Sequence, residues 1–109
     1  MTKLINSIPL FLSCSLRVDK FCKLHNLDEY LFNLYAQKLK LYTVRKRAQE
    51  FKNLNRFCKF IPLFISTPCS YGSFAEIYEL PFGAWVEFAS YLDLTNLSKQ
   101  HRKFIKENT

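Results

Sequence analysis

Apolar positions recur along this chain at helical rather than strand spacing. Leu27, Tyr30, Leu31, Leu34 and Tyr35 follow the i, i+3, i+4, i+7, i+8 rhythm of a helix with one face turned to a core. Upstream, Val18, Phe21, Cys22 and His25 keep the same spacing after a possible cap at Ser15. Asn26, with Glu29 three residues on, is a variant of the capping box and predicts a helix from Leu27. Downstream, Trp85, Phe88, Ala89 and Leu92 form another stripe, Asp93 to Asn96 reads as a turn rich in cap residues, and Leu97, His101, Phe104 and Ile105 line a last helix.

Glycine and proline set the boundaries. Neither occurs between Pro9 and Pro62, which marks a long helical stretch. At about 100° per residue the stripe of 27–35 and the later apolar positions Leu41, Val44, Ala48, Phe51 and Cys58 point about a quarter turn apart. One straight helix cannot serve one core with both, so a break is expected between Lys38 and Thr43. The next helix should run to about Ile61, where Pro62 stops it. Residues 62–73 read as a Pro/Ser/Gly loop, Ser73 as the cap of a short turn with Glu76, and Pro81-Phe82-Gly83 as a breaker. The expectation is an all-α, single-domain bundle of about five helices spanning 1–109, without internal repeat or low-complexity tract. Its core should come from the 27–36 stripe, Phe51, Trp85, Phe88, Leu92, Leu97 and Phe104, so that an aspartate at Leu34 or Phe88 unfolds it.

Length and composition agree with one folded unit: 109 residues, 49% hydrophobic and 23% charged, exclude a disordered tail and a fibrous chain. The abundance of Phe, Lys, Asn, Tyr and Ile beside only two Gly matches an A+T-rich coding sequence, as in an organelle, a virus, or an A+T-rich microbe or parasite. Cys14, Cys22, Cys58 and Cys69 show no repeated spacing, and free thiols in an intracellular, reducing compartment (cytoplasm, organelle matrix or virus-infected cell) are expected. The uncharged run from Leu4 to Leu16 after Lys3 has the outline of a signal peptide, but Asn6, Ser7 and Pro9 interrupt it, and a buried N-terminal segment is the expectation. Neither this run nor Phe60 to Ala75 reaches the roughly 20 residues of a bilayer span.

No phosphate-cradling glycine loop, nucleophile elbow or zinc helix is present, so an enzyme, a cofactor and a small-molecule substrate are not expected. Cys14, Cys22 and His25 match no common zinc spacing, and no metal is expected. Glu76, Glu79 and Glu87 read as solvated carboxylates.

Charge changes the picture most. The chain carries 16 Lys and Arg against 9 Asp and Glu. Segment 38–60 alone holds Lys38, Lys40, Arg45, Lys46, Arg47, Lys52, Arg56 and Lys59 against Glu50, a net +7 equal to that of the whole chain. On a regular helix Lys38, Arg45, Lys52 and Arg56 fall within about 40° of one another, with Tyr42 and Phe60 flanking as stacking faces. Cations that touch phosphates beside flat rings that stack on unpaired bases describe an RNA-binding surface. The expected function is therefore a non-enzymatic RNA-binding protein, a small component of a ribonucleoprotein such as an organellar ribosome, packed against neighbouring proteins. The candidate interface is Lys38, Tyr42, Arg45, Lys46, Arg47, Lys52, Arg56 and Lys59.

A competing expectation comes from Leu80-Pro81, Ser90-Tyr91-Leu92-Asp93 and Leu97, which resemble the opening of an F-box, the helical module by which ubiquitin-ligase receptors bind their adaptor. The later part of that module is replaced here by HRKFIKENT. Leu54 and Cys58 followed by Leu80-Pro81 and Tyr91-Leu92 are similar to a stretched SOCS box. Either resemblance implies a protein-interaction adaptor using Leu80, Pro81, Tyr91 and Leu92.

Overall fold

The computed structural model of the chain describes residues 2–51 and 54–108. These form α1 (Thr2–Leu12), α2 (Val18–Leu24), α3 (Glu29–Leu39), α4 (Leu41–Ala48), α5 (Leu54–Cys58), α6 (Ile61–Ser66), α7 (Tyr71–Ile77), α8 (Phe82–Leu92) and α9 (Leu94–Glu107), and no strand occurs among the described residues. The all-α class holds, with nine shorter helices among the described residues in place of about five.

The order of these helices contains a repeat that the stripes concealed. Shifting the numbering by 53 carries α2 onto α7 and α3 onto α8 with both ends matching, and the start of α4 onto the start of α9. Among the described residues, four other than glycine have positive φ, and they form two pairs at the same spacing: Asn26 with Glu79, and Lys40 with Asp93. In sequence, Ile8-Pro9-Leu10-Phe11 with Ser13 recurs as Ile61-Pro62-Leu63-Phe64 with Ser66, and Phe21, Leu27, Ala36, Leu39, Leu41 and Phe51 recur as Phe74, Leu80, Ala89, Leu92, Leu94 and Phe104. Side-chain geometry repeats too. The rings of Phe11 and Phe21 meet edge-on at 5.2 Å and those of Phe64 and Phe74 at 5.3 Å. Ser13 Oγ donates to the Pro9 carbonyl as Ser66 Oγ does to that of Pro62. The chain is a tandem duplication, which corrects the expectation of no repeat.

The two copies pack reciprocally. Helix α3 of the first lies on α9 of the second, and their equivalents α8 and α4 also pair, while α1 lies on α6. The ring of Tyr35 meets Phe104 edge-on at 5.1 Å, and that of Phe88 meets Phe51 at 5.5 Å. Each contact is the other with its halves exchanged, the signature of a two-fold axis between the copies. A single buried cluster runs through both halves, and Trp85, Tyr35, Phe11, Phe21, Phe32, Phe57, Phe74 and Phe88 are its largest members.

Several boundaries move from their expected places, each for a physical reason. The break between Lys38 and Thr43 falls at Lys40, whose left-handed backbone both ends α3 and begins α4. Asp28, not Asn26, caps α3 by accepting from the Leu31 N–H at 2.8 Å, so that helix starts at Glu29. Its buried stripe is Phe32, Tyr35, Ala36 and Leu39, about a third of a turn from the expected one. Tyr30 is 76% and Leu34 37% exposed, while Leu27 and Leu31 are half-buried. Both phases of α3 are apolar; Phe32 is buried because Phe11 and Phe21 of the first copy cover it, and Tyr35 because His101 and Phe104 on α9 of the second do. Pro62 does not end a helix but opens α6 near its first position, where a missing N–H costs nothing. Helix also occupies 62–66 and 71–73 of the expected loop, leaving Thr67–Ser70, and Ser70 rather than Ser73 is the cap, accepting from the Ser73 N–H at 3.1 Å. The N-terminal run is buried, with Leu4, Ile8, Phe11 and Leu12 in the core. Trp85, Phe88, Ala89 and Leu92 are buried as expected. Among the described residues no helix is long and apolar enough to cross a membrane.

Candidate nucleic-acid interface

The basic segment does not form one helix face. Lys38 ends α3 and pairs with Glu107 at 3.6 Å. Arg45 lies on α4, Arg56 on α5, and Lys52 lies outside the described residues. The backbone reverses hand at Lys40 between the first two of these helices, so the regular wheel that aligned Lys38 with Arg45 and Arg56 does not exist.

Arg45 performs a different task. Its guanidinium sits 4.1 Å from the centre of the Phe11 ring and donates to the Leu16 carbonyl at 2.9 Å. Gln49, one turn on, donates to the Cys14 carbonyl at 2.9 Å. Together they pin the α1–α2 connection to α4, which leaves Arg45 an architectural residue. Phe60 is half-buried against Phe74 and Tyr78 and offers no open stacking face.

The exposed residues of this region include Lys40, Tyr42, Thr43, Lys46 and Arg47 beside Gln49 and Glu50, together with Arg56 and Lys59 further on. Tyr42 is 44% exposed, with one edge against Phe11. Among the described residues the ion pairs are Arg17–Asp19 and Lys38–Glu107, so no α4 cation is in direct contact with a carboxylate. Glu50, the one acid in the segment, instead accepts from the Tyr91 hydroxyl. That bond raises the Tyr91 phenol above its ordinary range, with burial and the Glu50 charge adding to it.

A hollow of about 330 Å³ lies beside these cations, between the elbow of α3 and α4 and that of α8 and α9. Its floor is two equivalent pairs, Leu39 with Leu92 and Val44 with Leu97, so it straddles the two-fold axis. Its rim is not symmetric: Lys40, Thr43 and Arg47 come from the first copy, Asp93 and Asn96 from the second. Asp93 caps α9 by accepting from the Asn96 N–H at 3.4 Å. Neither the hollow nor its second-copy residues were evident from the sequence, because the elbow depends on two left-handed residues that are not glycine.

A larger groove of about 770 Å³ lies at the other end of the axis, between α1 and α6, with Pro9 and Leu10 facing Pro62 and Leu63. His101 reaches its wall, and its Nδ1 lies 2.7 Å from the buried Tyr35 hydroxyl. Burial raises the Tyr35 phenol, and burial with Arg102 alongside holds the His101 imidazole below its ordinary value. A histidine whose folded pKa is depressed takes up its proton more readily when unfolded. Stability should therefore be complete above about pH 6.5 and decline as pH falls from there through the lower folded value. Urea titrations at stepped pH should show that decline in the natural protein and lose this component in His101→Gln.

The cysteines are all free. Burial pushes Cys58 up to about 11, opposed by a hydrogen bond from Ser13, and raises Cys22 with Glu29, Asp28 and Asp19 adding to it, so neither is an activated nucleophile. No cluster of three His, Cys, Asp or Glu able to hold a metal occurs among the described residues.

The adaptor residues differ in exposure. Leu92 is buried in the core, Leu80 is half-buried against it, Pro81 is the exposed residue preceding α8, and Tyr91 is exposed and bonded to Glu50. Leu80 and Leu92 repeat Leu27 and Leu39 of the first copy, positions that the fold itself requires. No family model, no curated protein and no solved structure matches the chain.

Proposed function

We propose that this is a non-enzymatic, basic helical protein that binds RNA as a small component of a ribonucleoprotein, and that its contact surface is the exposed side of the α3–α4 elbow and α4. One observation carries the reading. The duplication provides an internal control: two copies of one fold need the same core but not the same charge. Residues 1–53 carry ten Lys and Arg against four Asp and Glu, a net +6, whereas residues 54–109 carry six against five, a net +1. Around the elbow the first copy has Lys40 and Arg47 where the second has Asp93 and Gln100. A fold that forms with either pair does not require these two cations, so the excess charge on one half points to a polyanionic partner. The exposed Tyr42 beside them supplies a stacking face and favours unpaired RNA bases over a duplex. The adaptor alternative rests on residues of which Leu92 is buried, and no observation here favours it.

Neutralising Lys40, Lys46 and Arg47 together should lower the slope of log affinity against log salt for single-stranded RNA by about 2, since each phosphate contact contributes about 0.7. Arg45→Ala should instead leave the slope almost unchanged and cost about 2–3 kcal/mol of stability, for it removes a ring contact and a charged hydrogen bond. Fluorescence anisotropy across a salt series, paired with urea unfolding, separates the two effects. A slope equally reduced by neutralising Lys99, Arg102, Lys103 and Lys106 would mean diffuse attraction and defeat the assigned surface.

A further inference from the structure

We infer that the hollow between the two elbows is a subsite for one unstacked nucleobase bearing an exocyclic amino group, with its backbone phosphate held at the Lys40 and Arg47 side. The inference rests on the RNA-binding reading above and adds a base preference to it.

Where the copies agree, they agree on the floor; where they differ, they differ on the rim. Leu39, Val44, Leu92 and Leu97 give a two-fold symmetric apolar base, as the packing of α3 on α9 and α8 on α4 requires. The positions above that floor have diverged into complementary chemistry: Lys40 against Asp93, and Thr43 against Asn96. A nucleotide has the same polarity, with an anionic phosphate at one end and a base edge of donors and acceptors at the other. At about 330 Å³ the hollow lies at the small end of the range for ligand pockets, suited to one base rather than a larger molecule.

The second-copy rim reads the base edge. Asp93 Oδ1 accepts from the Asn96 N–H, and both residues line the hollow, so the Asp93 carboxylate is the acceptor group at its second-copy rim. A carboxylate accepts from the amino group of adenine, cytosine or guanine. Uracil carries no amino group, and the two carbonyls that flank its imino N–H repel a carboxylate. The Asn96 side-chain amide, a donor and an acceptor, can serve the ring nitrogen beside the amino group. Lys40 and Arg47 have no ion-pair partner among the described residues and are free to meet the phosphate.

The test compares the full chain's affinity for short oligo(A), oligo(C) and oligo(U) RNA at one salt concentration, before and after Asp93→Gly. Glycine tolerates both the helix cap position and the left-handed backbone, so this substitution removes the side-chain acceptor and spares the elbow. The expected result is that oligo(A) and oligo(C) bind at least about fivefold more tightly than oligo(U), the lower end of discrimination by paired base-edge contacts. Asp93→Gly should reduce that difference to less than about twofold, and Asn96→Ala should narrow it as well. Equal binding of the three oligomers, or a preference that survives Asp93→Gly, overturns the subsite and leaves the RNA-binding surface standing. Failure of every oligomer to bind overturns both.

Discussion

Replacing Phe88 with aspartate should leave no folded protein at any pH where the carboxylate is charged. Phe88 is fully buried where the halves meet, with Phe51 edge-on at 5.5 Å, Phe57 at 5.4 Å and Trp85 at 5.9 Å. Removing a buried phenyl ring costs about 3–5 kcal/mol, and burying an unpaired carboxylate adds several more. The sum matches or exceeds the roughly 5–15 kcal/mol that separates most small domains from their unfolded chains. Leu34→Asp, which the periodic pattern ranks as equally severe, should cost no more than about 1–2 kcal/mol and leave the chain folded, because Leu34 is 37% exposed and a carboxylate there reaches water. Circular dichroism and urea titration of the two variants distinguish the stripe that is buried from the one that is merely periodic.

The second large effect concerns Trp85, whose indole N–H is buried with no hydrogen-bond partner. Its equivalent in the first copy is Phe32, and the ring pairs agree: Phe21 lies 5.2 Å from Phe32 at 34°, and Phe74 lies 5.0 Å from Trp85 at 27°. Phenylalanine therefore fits this position in the same fold. Trp85→Phe should stay within about 1 kcal/mol of the natural protein, since the lost ring area is offset by removal of an unsatisfied donor worth about 1–3 kcal/mol. Trp85→Ala leaves a cavity in the same cluster and should cost about 3–5 kcal/mol. Chemical denaturation of both variants measures the contrast, and a Trp85→Phe loss as large as that of Trp85→Ala would refute the equivalence of the two positions.

The fold class was legible in the sequence because helical spacing survives in α8 and α9 and because a quarter-turn jump in the apolar direction requires a break near Lys40. The buried side of α3 was not, since Tyr30, Leu31 and Leu34 are as apolar as Phe32, Tyr35 and Leu39, and only packing against α1 and α2 of the first copy and α9 of the second decides between them. The repeat escaped a search for stripes because its identities are scattered over the core while the charged positions have drifted. It is visible in Ile-Pro-Leu-Phe-x-Ser once position 8 is set against position 61. As for the candidate interface, the sequence located the excess charge but treated every cation alike. Which cation packs on Phe11, which pairs with Glu107 and which meets only solvent depends on contacts between residues far apart in the chain.

The exchanged pairing of α3 with α9 and of α4 with α8 also has a consequence for synthesis. The first half emerges from the ribosome with Tyr35 turned toward a surface whose covering ring, Phe104, belongs to the second copy. Folding of the first half to completion must therefore wait until the second copy has been made. Until then the nascent chain exposes the sticky face that another nascent copy could cover, so dense polysomes would favour tangled pairs of chains and a dilute, slowly initiated message would favour the closed monomer.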